Sequence, residues 1–364
     1  MTTPSTDRLQ DMAVRAPSWM EASEGEEEDI VLSTRLRLAR NLAGHPFPQH
    51  AERQEQEAVY DHLGSALVGS GLFGEEEAFP LMELDGGTGR LLVERHLISP
   101  TLARKEGPRG VFTGEEERLS VMLNEEDHLR LQLVEGGLAS TAAWERLSAA
   151  DEMLGEELRW AWRSDYGYLT ACPANVGTGL RVSVMMHLPA LVLLDEAEAT
   201  LRAATQAGML VRGVYGEGSS VSGNLYQLAN QMTLGRSEED ILESVVRVAR
   251  QVAEHEENAR VTLRREAPLQ LEDKVHRALG ILGTARLLDV RECLNLLSAV
   301  RLGVNMYVLS HVEINTLNAL MVLTQPSHLD RREGREMDTD EQDVLRAEVV
   351  RGRLRPRGGT DTNE

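Results

Sequence analysis

The chain has 364 residues, 41% hydrophobic and 27% charged, which suits one large or two smaller folded domains around a sizeable apolar core. Aromatic residues make up only 4%, so Leu, Val, Ala and Met must fill that core. Lys+Arg at 38 against Asp+Glu at 59 leaves a formal net charge of −21, which excludes a general nucleic-acid binder because the phosphates would be repelled.

No run of about 18 apolar residues occurs, so no membrane-spanning helix is expected. The N-terminal stretch lacks the basic and then apolar pattern of a signal peptide. Cys172 and Cys293 lie far apart, form neither a disulfide framework nor a zinc pattern, and suit a reducing cytoplasm. Lysine occurs only at positions 105 and 274, so nearly every basic group is an arginine fork. Only the position of those forks can give that bias a meaning.

Residues 1–28 read as a solvated acidic leader, with the acidic run Glu26, Glu27, Glu28 at its end continuing into Asp29. The segment VLSTRLRLARNL alternates as a strand, with Val31, Ser33, Arg35 and Arg37 on one side and Leu32, Thr34, Leu36 and Leu38 on the other. AERQEQEAVYDHLGSALVGSG predicts a helix ending at glycine. Short apolar runs over 80–100 and 118–134 look like strands, and AAWERLSAADEMLGEELRWAW is amphipathic and helical. YGYLTACPANVGTGLRVSVMMHLPALVLL reads as a strand, a turn-rich loop and a further apolar segment. Ser237 with Asp240 forms a capping-box pattern, and from Glu238 onward the spacing is almost wholly helical. A boundary is placed near Ala267 and Pro268, which divides a unit over 29–260 from a helical one over 268–352; the tail over 353–364 reads as disordered.

Four segments combine residue types that carry chemistry. In Ser33-Thr34-Arg35-Leu36-Arg37, the arginines at i and i+2 share a strand face and suit two forks on one polyphosphate, or else two surface ion pairs. In Asn124-Glu125-Glu126-Asp127-His128-Leu129-Arg130, three acids between apolar strands are either an exposed hairpin loop or a cluster that needs a metal ion or a guanidinium. Cys172 precedes a proline and a Gly-rich turn leading to Arg181, where a nearby cation can lower a thiol's pKa. Arg212-Gly213-Val214-Tyr215-Gly216-Glu217-Gly218 describes a glycine-rich loop able to close over a substrate.

With these motifs, NEEDH-x-R and C-P-x-N-x-G-T-G-x-R above all, the chain resembles the phosphagen kinases (the creatine and arginine kinase superfamily). Within them it is similar to the bacterial protein arginine kinases of the McsB type. The resemblance implies an α+β catalytic domain with a central antiparallel sheet flanked by helices, plus an all-α C-terminal dimerisation domain. It implies ATP-dependent phosphorylation of arginine side chains in proteins, marking them for stress response or degradation, with ATP and Mg2+ bound. The alternatives are a kinase of a small guanidino metabolite, against which stands the near absence of the metabolite kinases' small N-terminal domain, and a non-catalytic adaptor of a protease system.

By the same resemblance, Arg35, Arg37, Arg130, Arg181 and Arg212 match nucleotide-phosphate arginines, and His96 lies near the nucleotide. Ser33, Thr34 and Leu36, then Val182, Ser183, Val184 and Met185, then Gly213, Val214, Tyr215, Gly216 and Glu217 complete the nucleotide-binding stretches. Glu126 matches the carboxylate that orients the guanidinium and takes its proton, Glu217 the second carboxylate, and Cys172 the thiol beside the guanidinium. Glu125 and Asp127 are expected to organise magnesium through water. The subfamily's allosteric phosphoarginine motif R-D-x-x-R-A reads here as Gln342, Asp343, Val344, Leu345, Arg346, Ala347; the missing first arginine implies weakened binding unless Arg351 or Arg353 substitutes. Implied partners are protein substrates, a second copy as homodimer, a zinc-binding activator protein, a stress-response repressor and a ClpC-type unfoldase, with no membrane and no direct nucleic acid.

Overall fold

The computed structural model describes residues 6–21, 27–114, 116–213 and 221–355. In chain order the strands are β1 (Val31–Arg40), β2 (Ala78–Pro80), β3 (Gly110–Thr113), β4 (Leu119–Leu123), β5 (Leu129–Gly136), β6 (Trp162–Arg163), β7 (Gly167–Tyr168), β8 (Leu180–His187), β9 (Met209–Gly213) and β10 (Leu225–Asn230). Eight of them form one antiparallel sheet in the order β2-β3-β4-β5-β1-β8-β10-β9, while β6 and β7 pair separately. The helices are α1 (Thr6–Val14), α2 (Arg53–Gly69), α3 (Gly86–Glu94), α4 (Pro100–Arg104), α5 (Ser140–Glu157), α6 (Pro189–Leu193), α7 (Ala197–Gln206), α8 (Glu238–Glu266), α9 (Pro268–Thr284), α10 (Val290–Asn305), α11 (Ile314–Leu323), α12 (Pro326–Glu333) and α13 (Thr339–Leu354). The fold is therefore the expected one, a large antiparallel sheet flanked by helices with a helical C-terminal part.

The alternation of β1 decides which face is core. Leu36 and Leu38 join Leu131, Leu133, Val182 and Val184 in the main core beneath α2, α5 and α8. A bulge between Val31 and Ser33 changes the parity at the strand's start. Val31 thus enters that core and Leu32 goes to the other face, the reverse of what strict alternation predicts. On the opposite face Leu32, Val134, Met185 and Leu225 pack with α9–α13 in a second core.

Two expectations need correction. Residues 80–100 hold α3 and α4 rather than strands beyond Pro80. The reason is capping: Thr88 N–H donates to Asp85 (2.6 Å), Leu102 N–H donates to Ser99 Oγ (2.9 Å), and Pro100 starts a helix well. Nor are residues 6–21 a solvated leader. Leu9, Met12 and Ala13 fall at helical spacing on α1 and are buried, as are Trp19 and Met20. At the other end the helix α13 runs through Leu354, so the expected disordered tail is helical at its start; 356–364 lie outside the described residues. The Ser237–Asp240 capping box is present. The chain leaves α8 at Ala267 and restarts with Pro268 in the first turn of α9.

Sheet and C-terminal helices share a buried joint. Arg301, fully buried, donates to the carbonyls of Glu28 (3.0 Å) and Asp29 (2.8 Å), to Asn318 Oδ1 (3.1 Å) and to His187 Nδ1 (3.0 Å). His187 in turn faces Ser298 Oγ (2.8 Å) through Nε2. Further along, His328 accepts from Arg95 at Nε2 (3.2 Å) and faces Glu94 (2.9 Å) through Nδ1. Each imidazole needs one bare nitrogen as acceptor, so protonation would break a bond as well as bury a charge. Burial, then Arg301 and Arg260, pushes His187 well below its ordinary pKa; burial likewise lowers His328. His128, in the turn between β4 and β5, is pushed down to about 4, by burial first.

A histidine held neutral in the fold binds its proton only on unfolding, so its contribution is intact above the unfolded pKa of 6.5 and is lost as pH falls below it. Each of the three contributes a slope of up to about 1.4 kcal/mol per pH unit. Urea midpoints should hold between pH 8 and 7 and drop steeply from 6.5 to 5. A flat profile over that range would show that the histidines are charged in the fold.

Candidate active site

Antiparallel register brings arginines from four strands to one sheet face. Arg37 stands opposite Arg181 of β8 and Gln132 of β5; Arg35 stands opposite Ser183 and Val134; Arg130 lies beside Ala39; Arg212 on β9 faces Gln227, which faces Met185. Residues directly opposite share a face, so all five arginines project from the side away from the main core. They line one cavity of about 240 Å3 together with Glu126, Cys172, Asn175 and Gln227. Like charges this close oppose one another. Desolvation, then Arg35, Arg130 and Arg181, lowers the pKa of Arg37 well below its usual value; desolvation, then Arg212 and Arg130, lowers that of Arg181. The guanidinium groups remain cationic at neutral pH, and the buried Nε of Arg37 has no partner among the described residues. A polyanion is the ligand that relieves this.

The same register separates the remaining expected positions. Thr34, Leu36, Val182 and Val184 turn to the opposite face; Leu36, Val182 and Val184 are wholly buried in the main core, and Thr34 Oγ1 donates to Gly137 O (2.7 Å). Their side chains cannot reach the cavity, and they serve it by fixing the arginines' register. Ser33, Ser183, Met185 and His96 border a second, smaller cavity that shares Arg35 and Gln227 with the first. Burial and the charge of Arg35 push His96 down to a pKa of about 3, although the residue is only half-buried and lines that cavity. Gly213 ends β9; Val214, Tyr215, Gly216 and Glu217 lie outside the described residues.

Hydrogen bonds fix the acidic turn between β4 and β5. Asn124 adopts a left-handed conformation (φ 53°) and donates to Gln56 O (2.9 Å) and Pro108 O (3.0 Å), while Lys105 donates to the carbonyls of Asn124 and Glu125. Glu125 is buried against Arg130 and Ser99. Asp127 Oδ1 accepts from Asn41 (2.7 Å) and from Ala171 N–H (2.7 Å). Neither acid lines the cavity; the bonds that Glu125 and Asp127 make hold the turn and the Cys172 loop, while Asp127 Oδ2 has no partner among the described residues. His128 accepts from Leu42 N–H at Nδ1 (3.0 Å) and donates to Pro46 O at Nε2 (2.9 Å), the arrangement of a neutral ring. The outcome is that Glu126 alone of the three acids is half-exposed and faces the cavity, where its Oε2 accepts from Arg130 Nη2 (3.2 Å). Through Asp127 the same turn holds the segment that carries Cys172.

A family model described as ATP:guanido phosphotransferase, C-terminal catalytic domain, matches residues 59–259, and one described as Protein-arginine kinase McsB C-terminal domain matches residues 268–364. The chain is 47% identical over 340 residues to a protein-arginine kinase of Moorella thermoacetica, covering 93% of this chain and 97% of that one. The chain belongs to the ATP:guanido phosphotransferase family, in its protein-arginine kinase branch. A protein-arginine kinase of Halothermothrix orenii is 42% identical, over 95% of this chain and 99% of its own. Among solved structures, a duplicated taurocyamine kinase of Schistosoma mansoni aligns with a TM-score of 0.58 at 25% identity, over 73% of this chain and 40% of that one. A lombricine kinase aligns with a TM-score of 0.55 at 24% identity, over 70% and 71%, a likeness of fold.

Sequence reasoning missed what holds this family's site in place here. Arg40, the third arginine of β1, is 2% exposed and points away from the cavity's forks. It grips Asp151 with Nε and Nη2 (3.1 and 2.7 Å), donates to Ala39 O and Thr178 O (2.9 and 3.0 Å), and lies over the Tyr168 ring at 3.5 Å. Gly179 (φ +70°) permits this, since a Cβ there would sit 2.6 Å from Arg40 Nη1. The i, i+3 spacing from Arg37 to Arg40, which changes face on a strand, was the available signal.

The stretch Gln342 to Ala347, matched above to an allosteric motif by resemblance, lies on α13. Arg346 is buried, donating to Thr324 O (2.8 Å), Leu288 O (2.7 Å) and Asp343; Ala347 is buried, and Gln342 donates to Asp330 Oδ1 (2.9 Å). Arg351 donates to Ala285 O and Arg353 to Val14 O (2.8 Å), so each of the two expected substitutes is engaged elsewhere.

Replacing Arg40 by Ala leaves Asp151 buried without its partner and frees the Thr178 carbonyl. Equilibrium urea unfolding should show a loss of about 3–5 kcal/mol. A loss below about 1 kcal/mol, the scale of an exposed ion pair, would mean that the grip is a surface contact.

Proposed function

We propose that the chain transfers the γ-phosphate of ATP to the guanidinium of arginine side chains in proteins. The observation that carries this is one cavity in which Glu126 and Cys172 face five arginines from four strands. Glu126 already accepts a guanidinium nitrogen, that of Arg130. The choice of protein over a small guanidino metabolite rests on relatives named protein-arginine kinase, similar over nearly the full chain, and on the matched C-terminal region.

In this reading the arginines hold the phosphates, and the free nitrogen of the substrate guanidinium faces Pγ. A bond forms between that nitrogen and Pγ; the bond from Pγ to the bridging oxygen breaks, and its electron pair leaves with ADP. The nitrogen grows acidic as it is phosphorylated, and Glu126 takes its proton and passes it to solvent. Positioning and charge stabilisation account for most of the acceleration. Cys172 steadies the cationic guanidinium from the cavity wall, and Glu217 supplies the second carboxylate.

Among the described residues no group of three His, Cys, Asp or Glu is placed to cage a metal. Mg2+ bound with the nucleotide would supply positive charge against the phosphoryl oxygens. Glu125 and Asp127 lie behind the cavity lining and would act on its shell through water, Asp127 with Oδ2, which has no partner among the described residues. No described helix is long and apolar enough to cross a membrane. A cytoplasmic homodimer, working with an activator protein and with a ClpC-type unfoldase that takes its product, completes the proposal.

Incubation with ATP and a generic unfolded protein should place acid-labile phosphate on arginine, read by mass spectrometry. Phosphate on free arginine but not on protein would move the function to a metabolite kinase; no phosphate on either would favour the non-catalytic adaptor. Glu126→Gln should lower kcat by roughly 10²- to 10⁴-fold, and Cys172→Ser by less. Wild-type turnover in Glu126→Gln would refute the proton-acceptor role.

At α13, the missing first arginine and the engaged Arg346 should weaken phosphoarginine by about 1–3 kcal/mol relative to an intact motif. Free phosphoarginine up to millimolar levels should leave the initial rate unchanged, and a marked rise in rate would show that α13 binds it after all.

A further inference from the structure

Among the described residues four buried side-chain atoms lack a hydrogen-bond partner, and two of them are donors: Arg37 Nε and Trp19 Nε1. Arg37 lines the arginine cavity, and Trp19 lines the smaller cavity beside it. Arg35 and Gln227 belong to both. An orphaned buried donor is costly and rare. Two of them in adjoining cavities mark the places where a ligand's acceptors arrive.

The second cavity has the character of a base site. Val134 and Met185 give it apolar walls, and His96 meets Trp19 edge-on, with ring centroids 5.6 Å apart. Ser33 and Gln227 supply polar groups at its border. A flat heteroaromatic ring with acceptors on its edge fits such walls, and a phosphate chain continuing past Arg35 would enter the arginine face.

We propose that Trp19 is the base-reading residue of the nucleotide subsite, its indole N–H donating to a ring nitrogen of a purine whose phosphates lie among the arginines. Trp19 comes from the N-terminal segment, outside the matched catalytic region, and the C-terminal helices hold it. Asn318 donates to Met20 O (3.3 Å) and accepts from Arg301 (3.1 Å), the residue at the joint with the sheet. Base recognition is therefore assembled from three parts of the chain.

The inference rests on the nucleotide reading of the arginine cavity. The test is calorimetric binding of ADP and of 1-deaza-, 3-deaza- and 7-deaza-ADP to the full chain and to its Trp19→Phe variant. One deaza analogue should bind the wild type about five- to tenfold more weakly than ADP, the scale of one buried hydrogen bond. In Trp19→Phe that ratio should fall to about one, with ADP itself weakened by a similar factor. Equal affinity of all four ligands for the wild type, or the same ratio in the variant, overturns the assignment.

If the variant does not fold, the indole N–H resonances of the wild type decide. One signal, separated from those of Trp144, Trp160 and Trp162 by single replacements, should move with ADP and stay in place with the weak analogue; its insensitivity to ADP overturns the assignment. Purine discrimination by Trp19 without phosphate transfer to arginine would refute the proposed function and leave this inference intact. Transfer without discrimination does the reverse.

Discussion

Like charge held at close quarters governs this molecule. Arg35, Arg37, Arg130, Arg181 and Arg212 line one cavity on a single sheet face, and for Arg37 and Arg181 the neighbours' charge adds to the cost of desolvation. Such a set stays folded only because the opposite face buries Leu36, Leu38, Val182 and Val184 and fixes every register in the sheet. A one-residue slip of β1 would put both forks into the core. The repulsion would be relieved by an anion with charge spread along its length, the kind of ligand the proposed function supplies. An overall charge of −21 does not contradict this, since among the described residues Glu126 is the one acid that lines the cavity and the arginine field is local.

The three adjacent acids show how neighbours in sequence take different tasks. Glu125 satisfies Arg130, Asp127 holds Asn41 and the Ala171 N–H, and Glu126 is left facing the cavity. The turn does not present a uniform acidic patch. It spends two carboxylates on position so that the third meets the Cys172 loop across the arginine cradle. Arg40 performs the matching task from beneath, tying Thr178 and the glycine turn to β1 and α5.

The C-terminal helices are part of the site's support. Arg301 binds the carbonyls just before β1 and the imidazole at the end of β8, so the two strands that carry Arg35, Arg37 and Arg181 share one buried anchor. The same helices pack around Trp19 and Met20. A shift of α10 or α11 thus has a short mechanical route to both the arginine cavity and the smaller cavity beside it.

By itself the sequence determined the class of fold, the strand that carries Arg35 and Arg37, the capping box at Ser237, the helical C-terminal part and the motifs that identify the family. These are local signals: period-two alternation, cap chemistry and short fixed spacings. Tertiary structure alone decided the rest. It decided that Glu126 rather than Glu125 or Asp127 faces the cavity, because that choice depends on Arg130, Asn41 and Ala171, up to 86 residues away from their partners. It decided that Arg40 is structural, and that residues 6–21 are not a leader. Their few apolar side chains find partners only once α3, α12 and the far sheet face are assembled, and no local pattern records a partner that distant.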